Sequence, residues 1–128
     1  MSQSKVHRKI VSDTAFALKQ RYPQISLCTD LQEFPGDEIP PIIGGYRPDI
    51  FAYFPPSYSD ILIAEAKINS DIDNQHTSRQ IDAFLSNLEK SKGIGTFVLA
   101  VDGYVADHAR IVLELTYRER ISAVNHSL

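Results

Sequence analysis

The stretch from Arg47 to Lys67 constrains the fold more tightly than any other part of the chain. It reads R-P-D-I-F-A-Y-F (47–54), P-P-S-Y-S (55–59) and D-I-L-I-A-E-A-K (60–67). Both arms are rich in Ile, Leu, Phe and Tyr, side chains that suit a pleated, half-buried surface, whereas Pro55-Pro56-Ser57 cannot continue a strand. The pattern predicts a strand, a loop and an antiparallel strand. A loop closing symmetrically about Ser57 opposes Phe54 to Asp60, Asp49 to Glu65 and Arg47 to Lys67.

Directly opposed side chains share a face of the sheet, with Cβ atoms roughly 4.5–5.5 Å apart, and residues two apart on one strand share that face as well. Asp49, Glu65 and Lys67 are therefore expected to converge. Two opposed carboxylates repel, and a divalent cation relieves the repulsion; oxygen ligands from one or two carboxylates, completed by water and phosphate oxygens, suit magnesium. Removing Asp49 from the metal-free chain is expected to relieve the same repulsion and raise thermal stability. The alternative is a solvated Glu65–Lys67 pair at a strand end with Asp49 as an ordinary turn-side carboxylate. Placement favours the first reading, because the charges cluster at the end away from the loop, after Ile61, Leu62 and Ile63 have formed a strand of the kind buried on both faces. Register decides it: a slip of one residue moves Asp49 to the other face, and a slip of two does not.

The rest of the chain reads as support. Val6, Ile10, Val11, Ala15 and Leu18 recur at helical spacing over Ser4 to Arg21, and Tyr22-Pro23 ends that helix. Gln24 to Leu31 is predicted as a strand. The Pro- and Gly-rich E-F-P-G-D-E-I-P-P-I-I-G-G (33–45) is long for a connection, and reads equally as a rim beside Asp49 or as padding around Ile42 and Ile43. A helix is predicted from Asn74 to Lys90, with Ile81, Phe84, Leu85 and Leu88 on one face, then an interior strand over Thr96 to Val101 and a last helix from Tyr104 to Arg120. The expected architecture is an α/β (α+β mixed) single domain over 1–128, with four strands in one central mixed sheet.

With 128 residues, 43% hydrophobic and 23% charged, the composition is that of an ordinary globular domain. A formal charge of −3 argues against avid nonspecific nucleic-acid binding, although Lys5, Arg8, Lys9, Lys19 and Arg21 face only Asp13 before residue 22. One cysteine, Cys28, excludes an internal disulfide and suits a reducing compartment. Neither a membrane-length apolar run nor the apolar core of a signal peptide is seen, so the expectation is a cytoplasmic protein with no membrane partner. His7, His76, His108 and His126 lie in different elements without metal-ligand spacing, and no serine sits in a G-x-S-x-G turn.

Pro48-Asp49 followed by Glu65-Ala66-Lys67, in a helix-strand-strand-strand-helix-strand order, resembles the PD-(D/E)XK nuclease superfamily, the restriction endonuclease-like proteins. The resemblance spans nearly the whole chain. It implies that Asp49, Glu65 and the Ala66 backbone carbonyl bind Mg2+ or Mn2+, that Lys67 positions or activates the attacking water, and that Gln80 on the following helix joins the catalytic set. Members often carry an acidic residue on the first helix, where this chain offers only Asp13; Phe84 stands where subfamilies similar to the RecB nuclease have a tyrosine. Arg79 is a further candidate, for phosphate contact. The implied activity is metal-dependent hydrolysis of phosphodiester bonds in DNA, as an endonuclease rather than an exonuclease, in a repair, restriction or phage setting. The implied partners are DNA, a second copy of the chain through Ile111, Val112 and Leu115, and a larger complex of such a system. The competing expectation is a nuclease-like fold that binds nucleic acid or a protein without turnover.

Overall fold

The computed structural model describes residues 5–31, 38–56, 59–68, 71–72, 74–91, 93–102 and 124–126. At its centre are β2 (Ile50–Tyr53) and β3 (Ile61–Ala66), antiparallel with Ile50 opposite Ala64, Phe51 opposite Ile63, Ala52 opposite Leu62 and Tyr53 opposite Ile61. The Phe54 N–H donates to the Asp60 carbonyl at 3.2 Å. This is the register that symmetric closure about Ser57 requires. β1 (Ser26–Thr29) lies antiparallel along the outer side of β2, and β4 (Gly95–Asp102) lies parallel to β3. A parallel pair needs a crossover connection, which α2 (Gln75–Lys90) supplies.

The sheet is thus mixed and open, in the order β1-β2-β3-β4, and a short β5 (Val124–His126) adds a further parallel strand beside β4. β5 lies beyond the elements expected from the sequence. The helix expected over 104–120, with its proposed dimer face at Ile111, Val112 and Leu115, lies outside the described residues, as does His108. Among the described residues no helix is long and apolar enough to cross a membrane.

Strand alternation divides the core in two. Ile50 and Ala52 of β2, Leu62, Ala64 and Ala66 of β3, and Val98 and Ala100 of β4 face the helix α1 (Lys5–Arg21), where Ile10, Val11, Ala15 and Leu18 form the buried stripe. On the other face Ile63, Phe97, Leu99 and Val101 pack against Ile81, Phe84, Leu85 and Leu88 of α2. Leu62 through Ala66 are all buried, as expected of a strand with a helix on either face. α2 begins where Asn74 accepts the Thr77 N–H at 2.8 Å through its side-chain oxygen, an N-cap that satisfies one of the helix's orphan donors.

Part of the Pro- and Gly-rich stretch is ordered against α2. Ile43 and Tyr46 exchange two backbone hydrogen bonds, of 2.6 and 3.0 Å, around Gly44 and Gly45 with φ of +59° and +91°. Only glycine takes such angles without strain. A Cβ on Gly44 would stand 2.8 Å from the Ala83 Cβ, so the turn rests directly on the helix.

Phe84 is fully buried and packs against Phe97 with ring centroids 6.4 Å apart. Phe84→Ala is expected to destabilise the protein by about 3–5 kcal/mol, through lost burial and a residual cavity. Urea denaturation followed by circular dichroism measures it, and a loss under ~1 kcal/mol would mean that this face of the sheet is not close-packed.

Candidate functional site

Beyond the last paired residues, Ile50 and Ala64, the two arms are joined through carboxylates. The Asp49 N–H donates to Glu65 Oε1 at 3.0 Å, and the Ala66 N–H donates to Asp49 Oδ2 at 2.8 Å. Each acidic side chain therefore takes a backbone donor from the opposite arm, and the two are fixed side by side. Glu65 is only 4% exposed. Desolvation by burial, followed by the negative charge of Asp49, pushes its carboxyl well above the usual carboxylate range, and the Lys67 charge opposes this.

Lys67 follows β3 directly. Its Nζ lies 3.5 Å from Glu65 Oε2 and donates to Gln80 Oε1 at 2.5 Å. Gln80 is buried on the face of α2 that meets the sheet. Its amide oxygen fixes an ammonium group that a four-carbon stem would otherwise leave mobile. The three charged residues expected to converge do so, and the glutamine implied by resemblance is the one that holds the lysine.

The structure adds His7, which sequence reasoning set aside. Its Nε2 lies 3.3 Å from Asp49 Oδ2. The hydrogen bond with Asp49 holds the imidazole above its ordinary range, with a smaller contribution from the Ala66 carbonyl and against burial and the Lys67 charge. A signal was present in the sequence: His7 precedes Ile10, Val11 and Thr14 by three, four and seven residues, on the stripe that faces the sheet. Asp13 lies six residues farther along α1, a rise of about 9 Å, and pairs instead with Lys9 at 3.5 Å. Arg79 is exposed on α2 beside Gln80.

A cleft of about 90 Å³, lined by Val11, Asp30, Arg47 and Pro48 among others, opens on Asp49. A wider cleft, about 610 Å³, lies against Phe51, Ile61 and Ile42 toward the loop end of the hairpin, away from these charges. No family model, curated protein or solved structure matches the chain. The chemistry of the site rests on its own geometry.

Among the described residues no three His, Cys, Asp or Glu side chains form a ready-made metal cage. Magnesium asks for less, one or two carboxylates with water completing its shell. The donor set fits such an ion: two adjacent carboxylates, one of them resisting ionisation because it is buried beside the other.

Two outcomes follow for the metal-free protein. Glu65 binds its proton more tightly when folded than when unfolded, so its contribution to stability is complete below the ordinary Glu pKa and is lost as pH rises through the raised one. Glu65→Gln is thus expected to raise Tm in chelator at about pH 8 and to leave it nearly unchanged at about pH 4; scanning calorimetry at both pH values checks this, and equal shifts would contradict it. Asp49→Ala, expected from the charge pattern alone to stabilise, is expected from its contacts to destabilise. Relief of repulsion is outweighed because the Ala66 N–H loses its acceptor at a cost of about 1–3 kcal/mol, and His7 loses its contact with the carboxylate.

Proposed function

We propose that the chain is a metal-dependent nuclease that hydrolyses phosphodiester bonds in DNA, acting as an endonuclease. The observation that carries the reading is the convergence of Asp49, Glu65 and Lys67 on one hairpin, with Lys67 held by Gln80. Asp49, Glu65 and the Ala66 carbonyl would hold Mg2+ or Mn2+. When bound, such an ion polarises a phosphoryl oxygen and lowers the pKa of a bound water.

The remaining work falls to the chain's own groups. Lys67 presents a fixed positive charge to the phosphate, where negative charge grows as water attacks, and an ammonium already aligned by Gln80 needs no reorganisation at that moment. His7 fixes the Asp49 carboxylate from the α1 side. A cytoplasmic setting, a homodimer offering one site to each DNA strand, and membership of a restriction, repair or phage complex belong to the same proposal.

A second reading, a nucleic-acid or protein interaction module without turnover, draws on the formal charge of −3 and on Asp13 being paired with Lys9 rather than joined to the hairpin. Cleavage separates the two. With magnesium or manganese the purified protein is expected to cut DNA in a survey of linear, circular, single-stranded and branched substrates. Lys67→Ala should lower the rate by on the order of 10²–10³ while metal binding by calorimetry persists, whereas Asp49→Ala should lose metal binding. Cutting that survives both substitutions unchanged would reveal a contaminant and end the nuclease reading.

Gln80→Ala leaves every charge in place and removes only the acceptor that aligns Lys67. Its expected signature is a fall in kcat of about tenfold with metal affinity unaltered. An unaltered kcat would assign Gln80 to packing alone.

A further inference from the structure

The nuclease reading leaves unassigned a pair of aromatic rings, one just before Arg47 and one on the first turn of α2. His76 stands one turn before Gln80 on α2, and residues four apart on a helix have Cβ atoms about 6 Å apart. Gln80, which holds Lys67, thus has His76 one turn before it on the same helix. Tyr46 meets His76 edge to face, with centroids 5.7 Å apart and the planes at 71°. His76 is exposed and Tyr46 half-buried. A T-shaped contact uses one face of one ring and the edge of the other, and leaves flat aromatic surface for a further partner.

The backbone that carries each ring is held firmly. Tyr46 closes the tight turn whose Gly44 rests on Ala83, and it packs against the apolar core beneath α2. The first turn of α2 is fixed by the Asn74 cap and by the Thr77 hydroxyl, which donates to the Asp71 carbonyl at 2.5 Å. There is no acidic residue in that turn, and Arg79, three residues after His76, is exposed. Flat aromatic surface and an exposed guanidinium thus lie at the start of the helix that delivers Gln80 to Lys67.

We propose that Tyr46 and His76 form a wall on which an unpaired nucleobase next to the cleaved phosphate stacks, so that the enzyme prefers DNA carrying a single-stranded or unstacked nucleotide at that position. The inference rests on the nuclease reading. Inside a duplex both faces of each base are covered by its neighbours, and only an unpaired or terminal base offers a face to protein. Arg79 contacts the phosphate of the same nucleotide.

The test uses the cleavage-deficient Lys67→Ala protein with single-stranded DNA containing 2-aminopurine, whose fluorescence falls when the base stacks. Binding should quench the probe; adding His76→Ala should abolish the quench, and His76→Phe, which keeps a flat ring, should restore it. In the otherwise unaltered enzyme, His76→Ala should lower the ratio of single-strand to duplex kcat/KM roughly tenfold, with His76→Phe close to the parent. A quench that persists in His76→Ala, or an unaltered ratio in an enzyme that cuts, overturns the stacking wall and leaves the nuclease reading standing. A protein that neither cuts nor binds any DNA removes both.

Discussion

The structure depends on two hydrogen bonds in which Asp49 and Glu65 each accept a backbone N–H belonging to the other's arm. They extend the ladder past its last backbone pair, and they do so with carboxyl oxygens where a regular sheet would use carbonyls. Opposed like charges weaken a sheet, and burial of Glu65 makes the conflict worse, since little water reaches it. The protein answers with proximity: Lys67 on the same strand end, and His7 across from Asp49. Local rules broken in this way are expected where function demands it.

The sheet brings two different helices to these charges. β3 is the strand with an antiparallel neighbour on one side and a parallel one on the other, so its end is where a hairpin and a helical crossover meet. Through the crossover α2 delivers Gln80 to Lys67, while α1 delivers His7 from the opposite face. A hairpin alone gathers the charges without orienting them. Orientation comes from side chains whose own positions are set by packing, which is what precise chemistry requires of its supports.

How much of this was legible in the sequence follows from the range of each interaction. The pairing of Asp49 with Glu65 was legible once closure about Ser57 was assumed, since alternation then assigns the faces, and the observed register agrees with that closure. The helices were legible from their apolar stripes, and Asn74 from its cap chemistry. Gln80 was reached by resemblance; nothing in a buried glutamine's local sequence tells which lysine it will meet. His7 was missed because four histidines were judged by their spacing to one another, a test suited to a compact metal motif, rather than by their place on the helix stripe. The structure reverses the expected sign of Asp49's contribution to stability for a related reason. Repulsion is visible from charge alone, while the Ala66 N–H that Asp49 satisfies is a backbone donor with no trace in the letters. β5 was missed because three residues are too few to carry a periodic signal.

The division of the core by the sheet carries a consequence for thermodynamic coupling. Among the described residues, Ile10, Val11 and Leu18 belong to one apolar cluster and Phe84, Leu85 and Leu88 to another, because Leu62, Ala64 and Ala66 line one face while Ile63 and Phe97 line the other. Substitutions that neither touch nor share neighbours combine nearly additively. The α1 side and the α2 side are therefore separable as substrates for change: repacking under α1 acts on the setting of His7 and Asp49, repacking under α2 acts on that of Gln80 and Lys67, and strong non-additivity is confined to the strand ends where all four meet.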